Sequence, residues 1–245
     1  ESFSVASVPD MPMMPNIQTQ IAGSYSLKAH FKSATKNNES HFLLTPAGIT
    51  LAQQKPASAK TVFTQYLGAK TYVNPTFIAE LFGKLALKGE SARCVEALQM
   101  LDSRIKALST ITIGGVSGVF ADIGLPSLLS VNMLGDGMNK LLQIALTMLA
   151  NPGSILLVDE IENGFHYSFY PKLWEMIGKL AEETGCQVIA TTHSYECISG
   201  AAILAKAHTE LFRFVRLDHT ASGVAAKNFE NDSFEYAIDS GMEVR

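Results

Sequence analysis

Between Leu141 and Val158 the chain runs for 18 residues without a charged side chain, and Asn151, Pro152 and Gly153 stand in the middle of that run. An apolar stretch of this length is close to what a helix needs to cross a bilayer. The Asn-Pro-Gly triplet excludes a span, because a turn in lipid leaves backbone N–H and C=O groups without partners. The run therefore divides into a buried helix over Met138 to Ala150 and a buried strand over Ser154 to Val158. A strand apolar on both faces next to a helix apolar all round belongs inside a layered core.

Composition supports a folded, partnered protein. Of 245 residues, 47% are hydrophobic and 17% charged, which excludes a disordered chain. The length suffices for one large domain or two small ones. The charged fraction is below the roughly 25% of an ordinary soluble protein, so part of the surface is expected to be covered by a partner or by another piece of the same protein. No basic-then-apolar leader follows Glu1. Cys94, Cys186 and Cys197 are odd in number and form no C-x-x-C. They read as core cysteines in a reduced, cytoplasmic setting rather than as disulfides or metal ligands.

Two regions differ in kind. Residues 1–79 hold six Lys against three acids, and the remainder holds 13 basic and 20 acidic residues, a net of -7. The first region has strand-like runs at Ser24 to Phe31 and His41 to Leu51 separated by turn residues, and residues 1–73 are expected to form a β-rich lobe or insertion. From Asn74 the pattern becomes helical, with Phe77, Leu81, Phe82 and Leu85 on one stripe and Gly89 as terminator. A second helix is expected over Ser91 to Leu101, and a hairpin over Thr110 to Gly124 turning at Gly114-Gly115. Residues 74–109 thus form a helical subregion. After the buried helix and strand come an amphipathic helix (Phe165 to Glu183), a strand (Gln187 to Thr192) and a last strand near Leu211 to Leu217. Alternating apolar strands and helices predict an α/β fold with a largely parallel sheet covered on both faces.

The chemistry concentrates at three places. The strand Ile155 to Val158 ends in Asp159-Glu160, which puts two carboxylates at the carboxyl edge of a parallel sheet, where such folds bind ligands. There the first acid suits Mg²⁺ and the second suits orienting and deprotonating a water. A strand ending in acids also occurs wherever a chain emerges into solvent. Upstream, Leu134-Gly135-Asp136-Gly137-Met138 precedes the buried helix. Its glycines let backbone N–H groups approach a phosphate at a helix start, although Asp136-Gly137 also suits a hairpin tip. Downstream, Val188-Ile189-Ala190 runs into Thr191-Thr192-His193-Ser194, and His193 lies at a strand edge where it can stand beside Glu160.

In this order the three segments resemble ABC-type ATPase heads, and among them the AAA-family ATPases of the RecF-like and OLD-like branch. The wording is Asp159-Glu160-Ile161-Glu162-Asn163-Gly164-Phe165-His166 and Thr191-Thr192-His193-Ser194-Tyr195-Glu196, and the likeness covers residues 72–245. The resemblance implies a P-loop NTPase-like head with ATP and Mg²⁺ as cofactors. It implies that Asp159 is the Walker B aspartate holding Mg²⁺, that Glu160 is the catalytic glutamate, and that His193 is the switch histidine on the γ-phosphate. Glu162, Asn163 and Gly164 match the loop that faces a partner subunit. Gly135, Asp136, Gly137 and Met138 match the signature loop, which binds nucleotide held by the opposite copy; Gly135 stands where the usual wording has serine and Met138 where it has glutamine. His166 belongs to the matched wording without a chemical role. Trp174 and the stripe Phe169, Leu173, Ile177 and Leu180 read as core.

The P-loop wording G-x-x-x-x-G-K-[ST] is not in the chain. Gly68-Ala69-Lys70-Thr71 and Gly83-Lys84 are near misses, and Gln65 is the one candidate for a glutamine loop. Two readings follow: the P-loop lies on an N-terminal segment outside this sequence, or the head is degenerate. The expected function is ATP hydrolysis by a homodimer or higher oligomer joined through its ATP sites, driving a DNA-related or anti-phage effector such as a nuclease or toxin. The alternatives are a non-hydrolysing nucleotide sensor or scaffold, and a metal hydrolase using Asp159, Glu160, His166 and His193. Neither a membrane nor a nucleic-acid grip by this chain alone is supported by its charge.

Overall fold

A computed structural model describes residues 62–69, 74–208, 210–220, 223–229, Phe234 and Ile238, together with four strand backbones in the first 61 residues. The chain divides into two compact units, Glu1–Thr61 and Val62–Arg245.

In the first unit, β1 (Ser2–Ser7), β2 (Tyr25–Lys32), β3 (Asn37–Thr45) and β4 (Gly48–Leu51) form an antiparallel sheet in chain order. The run Ser24 to Phe31 corresponds to β2, and His41 to Leu51 holds the end of β3 and all of β4.

The second unit begins earlier than the sequence boundary at residue 73. Its first strand, β5 (Thr64–Leu67), is hydrogen-bonded into the parallel sheet described below and so belongs with the second unit rather than with the lobe. Parallel partners are distant in sequence, and a four-residue strand carries no local mark of the neighbour it will find. Helix α1 (Pro75–Leu87) starts where the Asn74 side chain accepts from the Thr76 N–H at 3.0 Å, with Pro75 in the first turn. Its buried stripe is Ile78, Leu81, Phe82 and Leu85. Gly83 lies inside this helix, so Gly83-Lys84 is not a phosphate loop. Lys70 and Thr71 lie outside the described residues.

Helix α2 (Ser91–Gln99) buries Cys94, Ala97 and Leu98. Strands β6 (Ala107–Ile113) and β7 (Val116–Asp122) form the expected hairpin, and Gly114 and Gly115 both take positive φ, 59° and 82°. Such a two-residue turn needs that geometry at both positions. The short β8 (Leu129–Ser130) pairs with β7.

Helix α3 (Asp136–Ala150) is the column of the unit: Leu141, Leu142, Ile144, Ala145, Leu146, Met148 and Leu149 are all buried. It packs against α1, α2, the strand β9 (Ile155–Val158) and helix α4 (Tyr170–Thr184). A one-turn 3-10 segment, Tyr167–Phe169, precedes α4. The stripe Phe169, Leu173, Ile177 and Leu180 is core, and Trp174 donates its indole N–H to the Cys197 carbonyl at 2.9 Å.

Strand β10 (Gln187–Ala190) completes a three-stranded parallel sheet in the order β10-β9-β5. Leu67, Val158 and Ala190 share one level of that sheet, and Gln65, Leu156 and Val188 another. Leu67, Leu156 and Val158 are buried in the core that α3 and α4 complete. On the opposite face Tyr66 and Ile189 are 39% and 52% exposed. The expectation of helices over both faces is therefore met on one face among the described residues. All three described strands of this sheet are parallel, as expected; β6-β7-β8 is a separate antiparallel sheet.

Helix α5 (Tyr195–Ala207) was not legible in the sequence, because Gly200 interrupts it and Ser, Gly and Ala give it no sharp polar face. The glycine has a packing reason. A Cβ there would sit 3.0 Å from Tyr170 Cβ and 3.2 Å from the Pro171 nitrogen, so glycine permits the close crossing of α4 and α5. The last strand is a hairpin of β11 (Phe214–Thr220) and β12 (Gly223–Phe229). Phe212, Phe214, Phe229 and the buried Phe234 pack with Ile198, Ala202 and Ala205. All three cysteines are buried and free. Among the described residues no helix is long and apolar enough to cross a membrane.

Because Leu146 is fully buried at the centre of α3, Leu146→Ala is expected to destabilise the fold by about 2–5 kcal/mol. Urea unfolding of the intact protein checks this, and a loss under ~1 kcal/mol contradicts the central place of α3.

Candidate functional site

Strand β9 delivers Asp159 and Glu160 to the carboxyl edge of the sheet, and β10 delivers Thr191 beside them. The parallel pairing continues past the strand ends: the Asp159 N–H donates to the Leu67 carbonyl at 2.8 Å, and the Thr191 N–H to the Val158 carbonyl at 2.9 Å. The Thr191 hydroxyl donates to Asp159 Oδ1 at 2.6 Å and accepts the Glu160 N–H at 2.9 Å. One hydroxyl thus orients the first carboxylate and anchors the backbone of the second. From β5, the Tyr66 phenol meets Asp159; burial, then the charge of that carboxylate and a hydrogen bond to it, push the phenol pKa up.

Glu160 has φ of +44°, the one positive φ among described non-glycine residues. Such a conformation costs on the order of 1 kcal/mol or more and persists only where surroundings hold it. Here they do. Besides the Thr191 bond, the Glu160 carbonyl accepts the Asn163 N–H at 3.0 Å and the Lys140 ammonium at 2.5 Å, and the Asn163 side-chain amide donates to the Glu160 carboxylate. Lys140 also reaches the Asp159 carbonyl at 3.2 Å.

The segment that holds His193 is tied to the same turn. The His193 backbone N–H donates to Glu162 Oε1 at 2.9 Å, and the Ile161 N–H to the Thr191 carbonyl at 3.0 Å. The His193 residue itself is exposed. Asp159, Glu160, Asn163 and the His193 backbone therefore belong to one hydrogen-bonded group, with Thr191 and Glu162 as the links.

The glycine loop lies against this group. Gly135 has φ of 104° and ψ of 164°, and it and Asp136 are exposed at the start of α3. That backbone conformation is open essentially to glycine alone, which explains why serine is absent from this position. Gly137 is buried against Gly164: a Cβ on Gly137 would fall 2.3 Å from the Gly164 carbonyl oxygen, and one on Gly164 would fall 2.7 Å from the Gly137 nitrogen. The first N–H groups of a helix have no partners within it, so the exposed start of α3 offers backbone donors to an anion.

Asp159 suits Mg²⁺ of the nucleotide-bound kind. Mg²⁺ commonly takes one or two carboxylates and completes its shell with phosphate oxygens and water. Among the described residues no three His, Cys, Asp or Glu converge as a metal cage. The His166 side chain is engaged elsewhere, since its Nδ1 meets the Ser168 hydroxyl at 2.8 Å and caps the 3-10 turn before α4. Gln65 lies within β5 and donates to the adjacent Tyr66 carbonyl at 3.1 Å.

Residues 118–199, which hold the glycine loop, the acidic turn and His193, match a family model described as an AAA domain, putative AbiEii toxin, Type IV TA system. Among solved structures, an SMC head bound to the C-winged helix domain of ScpA aligns at TM-score 0.50 and 10% identity, covering 84% of this chain and 75% of that one. The Smc head domain of Pyrococcus furiosus, with an extended coiled coil and bound to the C-terminal domain of ScpA, aligns at TM-score 0.50 and 10% identity, covering 89% and 80%. The chain has the fold of an ABC/AAA-type ATPase head. No curated protein sequence matches it.

Three residues of this head escaped the sequence reading. Thr191 was in the matched wording without a role, and its function follows only from the register that sets it beside Asp159. Tyr66 depends on β5 joining the sheet. Lys140 had a local signal: it is the one charged residue between Asp136 and Asp159.

Gly135→Ser, which restores the usual signature wording, is expected to cost about 1–3 kcal/mol through backbone strain. Gly137→Ala is expected to cost a similar amount, about 1–3 kcal/mol, by forcing two backbones apart. Thermal unfolding reads both: an unchanged midpoint in Gly135→Ser contradicts the strain at that position, and one in Gly137→Ala contradicts the close packing of the glycine loop on Gly164.

Proposed function

We propose that this head is part of a Mg²⁺-dependent ATPase whose sites are completed when two copies pair around nucleotide. The observation that carries the reading is the single hydrogen-bonded edge that joins Asp159, Glu160, Thr191 and the His193 segment, with the glycine loop packed on Gly164 beside it. Asp159 holds the metal, which when bound neutralises phosphate charge. Glu160 orients a water in line with the γ-phosphate and takes its proton as the oxygen attacks phosphorus, while the bond from phosphorus to the bridging oxygen breaks and ADP leaves. His193 meets the γ-phosphate, and the backbone donors at Gly135 to Met138 meet the nucleotide held by the second copy. Asn163 restrains the Glu160 carboxylate within the chain, in addition to facing the partner as the family wording implies.

For the output we infer a defence-related or DNA-related effector. The toxin wording of the family match favours it, as does the precedent of SMC heads solved with a bound ScpA domain. The balance of 13 basic to 20 acidic residues beyond residue 79 disfavours a duplex grip by the head alone.

Glu160→Gln in the intact protein is expected to lower ATP turnover by about 10²–10⁴-fold while ATP-bound pairs accumulate. Turnover equal to wild type removes Glu160 as the base, and an unsubstituted intact protein that binds ATP without turning it over favours a nucleotide sensor or scaffold. Asp159→Asn is expected to weaken ATP binding only when Mg²⁺ is present. Equal affinity with and without Mg²⁺ in the unsubstituted protein contradicts the metal role of Asp159.

A further inference from the structure

Among the described cations, Lys140 is the one whose ammonium meets the backbone of the acidic turn. It lies on α3 one turn beyond the glycine loop, half-buried, with its ammonium on the Asp159 and Glu160 carbonyls at 3.2 and 2.5 Å. Burial pulls its pKa down, while the carboxylates of Glu162, Asp159 and Glu160 favour its charged form. Glu162 Oε2 is buried without a hydrogen-bond partner, and its other oxygen holds the His193 N–H.

We propose that Lys140 is a positioning residue for hydrolysis: it clamps the acidic turn so that Glu160 keeps the left-handed backbone from which its carboxylate is aimed, and ties that turn to the helix begun by the glycine loop. Two geometric facts lead here. Glu160 takes a backbone conformation that its own side chain disfavours, so external ties must hold it. Of those ties, the Thr191 and Asn163 bonds come from the sheet edge and the turn itself, whereas the Lys140 bonds come from α3. A phosphate drawn to the start of α3 therefore acts on a rigid element whose next turn grips the catalytic backbone. Lys140 touches neither water nor phosphate in this scheme and acts through Glu160.

The inference rests on the reading of Asp159-Glu160 as the hydrolytic turn, and the two are tested separately in the intact protein. Lys140→Met keeps most of the aliphatic stem and removes the donor. It is expected to lower kcat by about 10–100-fold, because small misplacements of a reacting group have costs of that size. KM for ATP, and Mg-ATP affinity measured in the Glu160→Gln background, should stay within about 3-fold. Lys140→Arg, which still presents several N–H donors to the two carbonyls, is expected to recover most of the turnover. A folded Lys140→Met protein with wild-type kcat overturns the proposal. So does a loss of affinity as large as the loss of turnover, or an arginine variant as impaired as the methionine one. Where Lys140→Met does not unfold cooperatively, Lys140→Gln serves in its place with the same expected and contrary results. If Glu160→Gln leaves turnover unchanged, the site reading itself fails; if Glu160→Gln abolishes turnover and Lys140→Met does not alter it, only the role of Lys140 fails.

Discussion

Everything at the site depends on the parallel register between β9 and β10. Val158 stands opposite Ala190, so the first residues beyond the two strands, Asp159 and Thr191, emerge side by side. A one-residue slip would send alternate side chains to the other face of the sheet, burying polar groups and separating the threonine from the aspartate. With the register kept, one Thr191 hydroxyl satisfies the Glu160 N–H and orients the Asp159 carboxylate. The register is in turn specified by burial: Leu156 and Val158 face the core formed with α3 and α4, while Gln187 and Ile189 at the edge of the sheet stay exposed.

Helix α3 links this edge to the rest of the unit. Its enclosed apolar surface fixes its place, and its first turn carries the glycine loop. Gly137 and Gly164 allow two backbones to touch where any side chain would separate them. The loop at the head of α3 and the loop after Glu160 are thereby held as one surface. Lys140 adds an electrostatic tie at the same place. Under the proposed function, in which two copies share nucleotide, this stiffness would carry a signal received at one loop to the residue that acts at another.

Much of this was legible in the chain before any geometry. The uncharged helix and strand around Asn151-Pro152-Gly153, the acidic pair at the strand end and Thr191-Thr192-His193 all depend on contiguous residues, and local pattern is what a sequence displays directly. The same holds for the α1 stripe and the Gly114-Gly115 hairpin. The membership of β5, the approach of Tyr66 to Asp159 and the role of Thr191 depend on parallel pairing between distant segments, which leaves no local trace. Helix α5 was obscured because a glycine needed for close packing against Tyr170 also reads as a helix breaker. Asn163 was expected to face a second copy, and its bond to Glu160 within the chain emerged only from the turn between them.

The central claim is that Mg²⁺ and nucleotide meet at the carboxyl edge of β9 and β10. Replacing Mg²⁺ by Fe²⁺ in the intact protein with ATP, then adding ascorbate and peroxide, cuts the backbone next to the metal, and the fragments are read by mass spectrometry. The account predicts ATP-dependent cuts clustered at Val158 to Glu160 and at Thr191 to His193, and their loss in Asp159→Asn. Cuts confined to other segments, or cuts at these segments that persist in Asp159→Asn, would contradict it.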